Sequence, residues 1–406
     1  MIPLEFSVLE PLGKLFTRPW ADAVTGLKID SRAVEEGDLF VAVNSGADFV
    51  EHALARGAAA ALVPDDAHAA LAAIAGAVRD RSSARVVGIT GATGKTTTKD
   101  ILAALCLPHA RTIASEANFN NELGVPLTLG RLEPETEICI TEMGMRGLGQ
   151  IAWLAAIAKP DIALITNIAP VHLELVETVE NVAKAKAELI QALRPGGIAV
   201  VPEEPLLEPY LTRTDIEIRR FGAVTEPGVY EIGGRTIHLA TNYSARHQLQ
   251  NTLAALTVCD ALGIEIADGR LDVEFSPLRE EELALPGDIL VLNDCYNANP
   301  LSMRAALENL AARAGSRRRV AVLGEMAELG FEAEAYHQEI GRAVAELGVD
   351  ELIAVGPLAQ AYGGRWVATA AEALAALQPL LQPGDVVLVK GSRAVGLELI
   401  AANLTS

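Results

Sequence analysis

The segment Gly88-Ile89-Thr90-Gly91-Ala92-Thr93-Gly94-Lys95-Thr96 combines the residue types that hold a polyphosphate. Glycines let successive backbone N–H groups turn into one concavity, and a helix N-terminus adds positive potential. A lysine there reaches the terminal phosphates, and a threonine hydroxyl can ligate Mg²⁺. The strict Gly-x-x-x-x-Gly-Lys-Thr spacing fails by one place, because its first Gly would fall on Ile89. The tighter Thr-Gly-x-x-Gly-Lys-Thr form is intact. The segment joins an apolar strand-like run, Arg85 to Thr90, to a helical pattern from about Lys95, which is the context a phosphate loop needs. Gly91, Ala92, Thr93, Gly94, Lys95, Thr96 and Thr97 are the nucleotide-binding candidates.

Other chemistry-bearing residues fall at the ends of apolar runs. Glu142 follows the run 138–141, where ligands gather at the carboxyl ends of a doubly wound sheet; it is a metal ligand or a solvated acid. His172 closes the segment Thr166-Asn167-Ile168-Ala169-Pro170-Val171-His172 and is a ligand or a structural histidine. Lys184 and Lys186 are two apart on a predicted helix and point about 200° apart, so one should face inward. A buried lysine is costly unless neutralised or modified, and CO₂ would turn it into a carboxylate-like carbamate. The amide cluster Asn118-Phe119-Asn120-Asn121 suits a polar uncharged ligand or an Asx-type turn.

The elements that must position these residues alternate β and α, which indicates a parallel sheet covered on both faces. Strands are expected at 39–43, 60–63, 85–90, 138–141, 162–166, 198–201, 289–292, 319–323, 351–355 and 386–389. Helices are expected at 49–56, 67–79, from 95, at 245–262, 301–313 and around 333–347. The polar stretch 80–83 reads as a linker and 202–243 as an antiparallel extension. The 406 residues allow two to four domains. The net charge of −20 argues against a nucleic-acid or anionic-membrane partner. No run reaches the ~18 apolar residues of a membrane span. The N-terminal ten residues lack the basic start of a signal peptide. Four cysteines without a Cys-x-x-Cys pair suit reduced thiols in a cytoplasmic protein.

Together these motifs resemble the Mur ligase family, along nearly the whole chain. The resemblance runs through Asp30-Ser31-Arg32, GDLFV at 37–41, GATGKTT at 91–97, NFNNELGVPLTL at 118–129 and EMGMRGLGQI at 142–151. It continues through NIAPVHLE at 167–174, VAKAKAEL at 182–189, NDCYNANPLSM at 293–303, LGEMAELG at 323–330 and KGSR at 390–393. NFNN, YNANP and LGEMAELG point to the members that add a dipeptide.

The resemblance implies an α/β protein of three domains: 1–84 for the uridine side, 85–278 for ATP, and a Rossmann-like 279–406 that closes over ATP and binds the dipeptide. It implies ATP and two Mg²⁺ ions, with Lys95 on the phosphates and Thr96 on one Mg²⁺. Glu142, His172 and a carbamylated Lys186 would surround the second ion. Ser31 and Arg32 would meet uridine, and Asn118 and Asn121 the muramoyl peptide. His247 and Asn251 would lie on the adenine side, Arg279 on the γ-phosphate, and Asp294, Tyr296 and Asn297 on ribose and adenine. Lys390, Ser392 and Arg393 would face the dipeptide. The substrates implied are UDP-N-acetylmuramoyl-tripeptide and D-alanyl-D-alanine, joined through an acyl phosphate by a monomeric cytoplasmic enzyme.

The chain departs from the pattern in four places. The loop after the GDLF strand, Val43 to Phe49, is short and lacks the usual Asp-Gly-His. Glu280 replaces a Gly beside Arg279, Gln248 replaces an Asn, and the chain is shorter than typical members. A sister ligase with another acceptor, or a regulatory nucleotide-binding paralogue, are the alternatives.

Overall fold

The computed structural model describes residues 1–279 and 281–404; Glu280 lies outside them. Among the described residues the chain forms three α/β domains. The N-terminal sheet has the order Gly13–Thr17, Ala60–Pro64, Asp38–Val41, Gly26–Lys28. Its first pair is antiparallel and the others are parallel.

This domain is not hung on a free linker. Its helix Ala67–Arg81 starts at Asp66, whose carboxylate accepts the Ala69 N–H at 3.0 Å, as N-cap acids do. The helix takes in the first two residues of the expected linker and ends at Arg81, and its face Leu71, Ile74 and Val78 shares one apolar core with Val125, Leu129, Ile151 and Leu154 of the central domain. The apolar face ends at Val78, and Asp80 to Ser83 lie outside the core, so a packed seam runs beside this short polar connection.

The central sheet has the order Glu217–Phe221, Ile198–Pro202, Ile162–Ile165, Arg85–Thr90, Ile138–Glu142, Thr112–Ala114, and every pairing is parallel. Alternation along Arg85–Thr90 splits the two cores. Val87 and Ile89 pack with helices Lys95–Cys106 and Arg246–Leu262, while Val86 faces helices Gln150–Ala158 and Val179–Gln191. Gly88 is small for a reason: a Cβ there would lie 2.9 Å from Leu189 Cδ1.

The expected antiparallel extension at 202–243 is corrected in part. Glu217–Phe221 joins the main sheet as a parallel edge strand, because residues 198–202 had an edge free to pair. Only Val229–Ile232 and Arg235–Thr241 form an antiparallel hairpin. It turns at Gly233 and Gly234, with φ 57° and 78°, a conformation that favours glycine.

The third domain has the sheet order Glu281–Leu285, Ile289–Asp294, Val386–Lys390, Arg319–Gly324, Glu351–Val355, Arg365–Val367. Its first strand is antiparallel and lies at the edge. No described helix is long and apolar enough to cross a membrane.

Candidate active site at the nucleotide cleft

In the central sheet the order reverses around Arg85–Thr90, so its carboxyl end opens a crevice. Gly91 to Gly94 turn there into the helix Lys95–Cys106, whose N-cap Gly94 is left-handed at φ 74°. The neighbouring strand end fixes the loop. Asn167 Oδ1 accepts the Thr93 N–H at 2.9 Å, Asn167 O accepts the Ala92 N–H at 3.1 Å, and Thr166 Oγ1 donates to Thr93 O at 2.6 Å. Lys95 Nζ donates to Gly91 O at 2.9 Å, so the cation sits over the loop. Thr166 and Asn167 were not among the predicted site residues; only the adjacency of their strand to the loop strand reveals them.

A Cβ on Gly91, at φ 152°, would stand 1.9 Å from Thr166 Oγ1. Gly91→Ala is therefore expected to displace the Thr166 brace and weaken ADP binding by roughly tenfold or more, the loss of about one charge-assisted hydrogen bond. Calorimetric titration with ADP checks this, and unchanged affinity would sink it.

Between the central and third domains lies a cavity of about 280 Å³. It is lined by Ala92 to Thr97, His247, Asn251, Arg279, Asp294, Asn297 and Lys390. Asn251 touches the phosphate loop directly, since a Cβ on Gly94 would lie 2.7 Å from its Oδ1. The Arg279 guanidinium stacks 4.1 Å above the Tyr296 ring, which holds it at the junction. Gln250, Asn299 and Ser302 also line the cavity, and sequence reading missed them because their neighbours carried the recognisable types.

Lys390 was expected on the dipeptide side. Its buried Nζ donates to Asp294 Oδ2 at 2.5 Å and Asn297 O at 3.1 Å, on the wall of this cavity. It lies on the strand that pairs in register with Ile289–Asp294, and a buried ammonium requires that acid. Ser392 is also buried, and its Oγ accepts the Ala327 N–H at 2.9 Å. Arg393 is half exposed and pairs with Glu398 at 3.4 Å.

Below the loop, Glu142 is almost fully buried. Its Oε1 accepts from Asn120 Nδ2 at 2.8 Å, while its Oε2 has no hydrogen-bond partner. An orphaned, buried carboxylate oxygen fits a cation ligand. The amide that reaches it is Asn120, a residue the sequence reading did not single out; Asn118 and Asn121 were expected on the muramoyl-peptide side. Asn118 is exposed, and Asn121 Oδ1 accepts the Leu123 and Gly124 N–H groups at 3.2 and 2.9 Å, so this side chain makes the Asx-type turn before the helix Gly124–Leu129.

Of the two lysines on Val179–Gln191, Lys184 is exposed and Lys186 is buried. Among the described residues Lys186 has no ion pair. Burial pushes its amine well below the ordinary lysine value, and the Lys95 charge pushes the same way. Burial likewise lowers His172, with Glu328 opposing and the Lys186 and Lys95 charges adding to the lowering. Burial also lowers Lys95, with Glu142 opposing. Lys95 thus lies within electrostatic reach of Glu142, His172 and Lys186. Among the described residues no three carboxylate, imidazole or thiol groups converge as a metal site. The buried Lys186 amine is a group that CO₂ can turn into an anion.

On the N-terminal domain, Ser31 Oγ and His52 Nδ1 share a hydrogen bond of 3.0 Å. Arg32 is held by both Asp30 oxygens, at 2.9 and 2.8 Å, and this hydrogen bonding lowers the Asp30 carboxyl to about 2. The shortened loop forms the turn Asn44–Phe49. Among the described residues neither Ser31 nor Arg32 lines the cavity between the central and third domains.

Comparison with known proteins agrees with this geometry. Residues 23–99 match the Mur ligase family catalytic domain, 89–259 the Mur ligase middle domain, and 279–393 the Mur ligase glutamate ligase domain. The UDP-N-acetylmuramoyl-tripeptide–D-alanyl-D-alanine ligase of Synechocystis is 34% identical over 94% of this chain and 93% of its own. The crystal structure of MurF from Acinetobacter baumannii superposes with a TM-score of 0.86 at 28% identity, covering 99% of this chain and 98% of that one. MurF from Thermotoga maritima in complex with ADP gives 0.78 at 28% identity, covering 94% and 97%. With three Mur ligase models matched in order along the chain and a 34% identical relative covered over 93% of its length, the chain belongs to the Mur ligase family.

Proposed function

We propose that the protein is an ATP-dependent ligase that joins D-alanyl-D-alanine to UDP-N-acetylmuramoyl-tripeptide in cytoplasmic peptidoglycan precursor synthesis. The observation that supports this best is the convergence of the phosphate loop and Lys95 with Glu142, Lys186 and His172, opposite Arg279 of the third domain. All four described cysteines are free and buried, as suits a reducing compartment.

The loop amides and Lys95 hold the β- and γ-phosphates of ATP. The tripeptide carboxylate attacks the γ-phosphorus, forming an acyl phosphate and releasing ADP. Lys95 and Arg279 offset the negative charge that this approach of anions builds. The dipeptide amine then adds to the acyl carbon, the tetrahedral intermediate collapses, and phosphate leaves as the amide forms. The third domain covers the cleft and excludes water that would hydrolyse the acyl phosphate.

Thr96, Glu142, His172 and a carbamylated Lys186 are the residues that would hold Mg²⁺, with the orphaned Glu142 oxygen as the clearest fit. Bound Mg²⁺ would supply charge neutralisation and Lewis-acid polarisation of phosphoryl oxygens. The Lys186 carbamate forms when the neutral amine adds to CO₂ and releases one proton.

The test is phosphate release from ATP with UDP-muramoyl-tripeptide, with and without D-alanyl-D-alanine. Release is expected only with both. Release with a single amino acid instead would favour a sister ligase, and absence of any dipeptide-dependent release would remove the proposal.

A further inference from the structure

The LGEMAELG segment has no part in the chemistry above, yet the third domain holds it rigidly. Met326 N–H donates to His337 Nε2 at 2.9 Å, Ala327 N–H to Ser392 Oγ at 2.9 Å, and Ser392 N–H to Glu325 O at 3.1 Å. Glu328 follows in the left-handed region at φ 64°, where a non-glycine residue persists only if its surroundings enforce it.

The segment ends on the central domain. Glu328 Oε2 lies 2.5 Å from His172 Nδ1, and its other oxygen 3.9 Å from Arg146 Nε. A Cβ on Gly330 would stand 3.5 Å from Glu174 N, so the backbones also approach closely. His172 is itself left-handed at φ 55°. Two strained residues from different domains are thus aimed at each other. An ionised carboxylate can only accept, so His172 Nδ1 carries the proton and Nε2 keeps the ring's lone pair.

We infer that Glu328 is a positioning residue from the third domain that fixes the His172 tautomer and ring, leaving Nε2 free to ligate a divalent cation. The cation site is then assembled from two domains, and docking of the third domain completes it. The physical reason is general: a histidine that binds a metal through one nitrogen is oriented by an acceptor on the other. The inference rests on the metal role proposed for His172 above.

Mn²⁺ binding to the full chain in the presence of ADP, read by electron paramagnetic resonance without turnover, tests it. Glu328→Ala is expected to weaken Mn²⁺ by roughly 10–100-fold, with ADP affinity in EDTA and melting temperature unchanged. Glu328→Asp, which keeps the carboxylate, should restore most of the affinity. Mn²⁺ affinity of Glu328→Ala equal to wild type would overturn the inference while leaving the ligase reading intact. His172→Ala with undiminished Mn²⁺ binding would remove the metal role of His172 and this inference with it.

Discussion

Lys186→Ala is expected to lose ligation by roughly 10²–10³-fold in kcat, the scale of losing one preorganised electrostatic group, while its stability stays at or above that of wild type. The stability expectation follows from burial. Lys186 is 1% exposed and lacks an acid partner among the described residues, so removing it relieves a desolvation cost. The activity expectation follows from what the amine can become. Burial and the Lys95 charge hold it well below the ordinary lysine value, so the neutral, nucleophilic form persists to lower pH than for a surface lysine. Competence to bind CO₂ therefore extends to lower pH than for a surface lysine and is lost as pH falls through the depressed value, where the amine is protonated. The carbamate would place an anion beside two cations, Lys95 and the proposed Mg²⁺. Short carboxylic acids added to Lys186→Ala should restore part of the rate, because they supply that anion in the space the side chain leaves. Steady-state phosphate release, with and without formate or propionate, reads the outcome. Wild-type activity in the variant would end the assignment, and a loss that no acid rescues would leave the carbamate unsupported.

Arg79→Ala is expected to destabilise the fold by about 3–5 kcal/mol, the scale of breaking a buried ion pair by removing one partner. The guanidinium is 5% exposed and spends its donors across the domain boundary. Nε donates to Ala158 O at 2.9 Å, Nη1 to Ala84 O at 3.1 Å, and Nη2 to Lys159 O and Asp161 Oδ2 at 3.0 Å each. Asp161 also accepts the Val86 N–H at 2.8 Å at the start of the loop strand and pairs with Arg194. Truncation would strand several buried carbonyl groups and weaken the seam between the N-terminal helix and the central sheet. Arg79→Lys should recover little, because an ammonium cannot span the fork. Guanidinium unfolding followed by tryptophan fluorescence measures this, with the first transition as the readout because a three-domain chain need not unfold in one step. A shift of less than about 1 kcal/mol would show that the seam is held by its apolar contacts alone.

The phosphate loop, the strand end that carries Glu142, the loop that carries His172, and the βα alternation are legible in the sequence. Each is local: a contiguous run of glycines before a helix, or a short apolar run with an acid at its end, fixes its own backbone and position. Family motifs supplied the order of the domains in the same contiguous form. Tertiary structure alone decided the partners. Spacing placed Lys184 and Lys186 on opposite helix faces, but only packing of that helix on the sheet determined that Lys186 is inside. The amide cluster held several asparagines of one chemistry, and the turn consumed Asn121 and delivered Asn120 to Glu142. Lys390 met Asp294 because their strands pair in register, and Glu328 met His172 across domains 156 residues apart in sequence. The net charge of −20 likewise says nothing of where the few cations lie. Folding brings Lys95 and Arg279 to one crevice, while surface acids stay solvated by water.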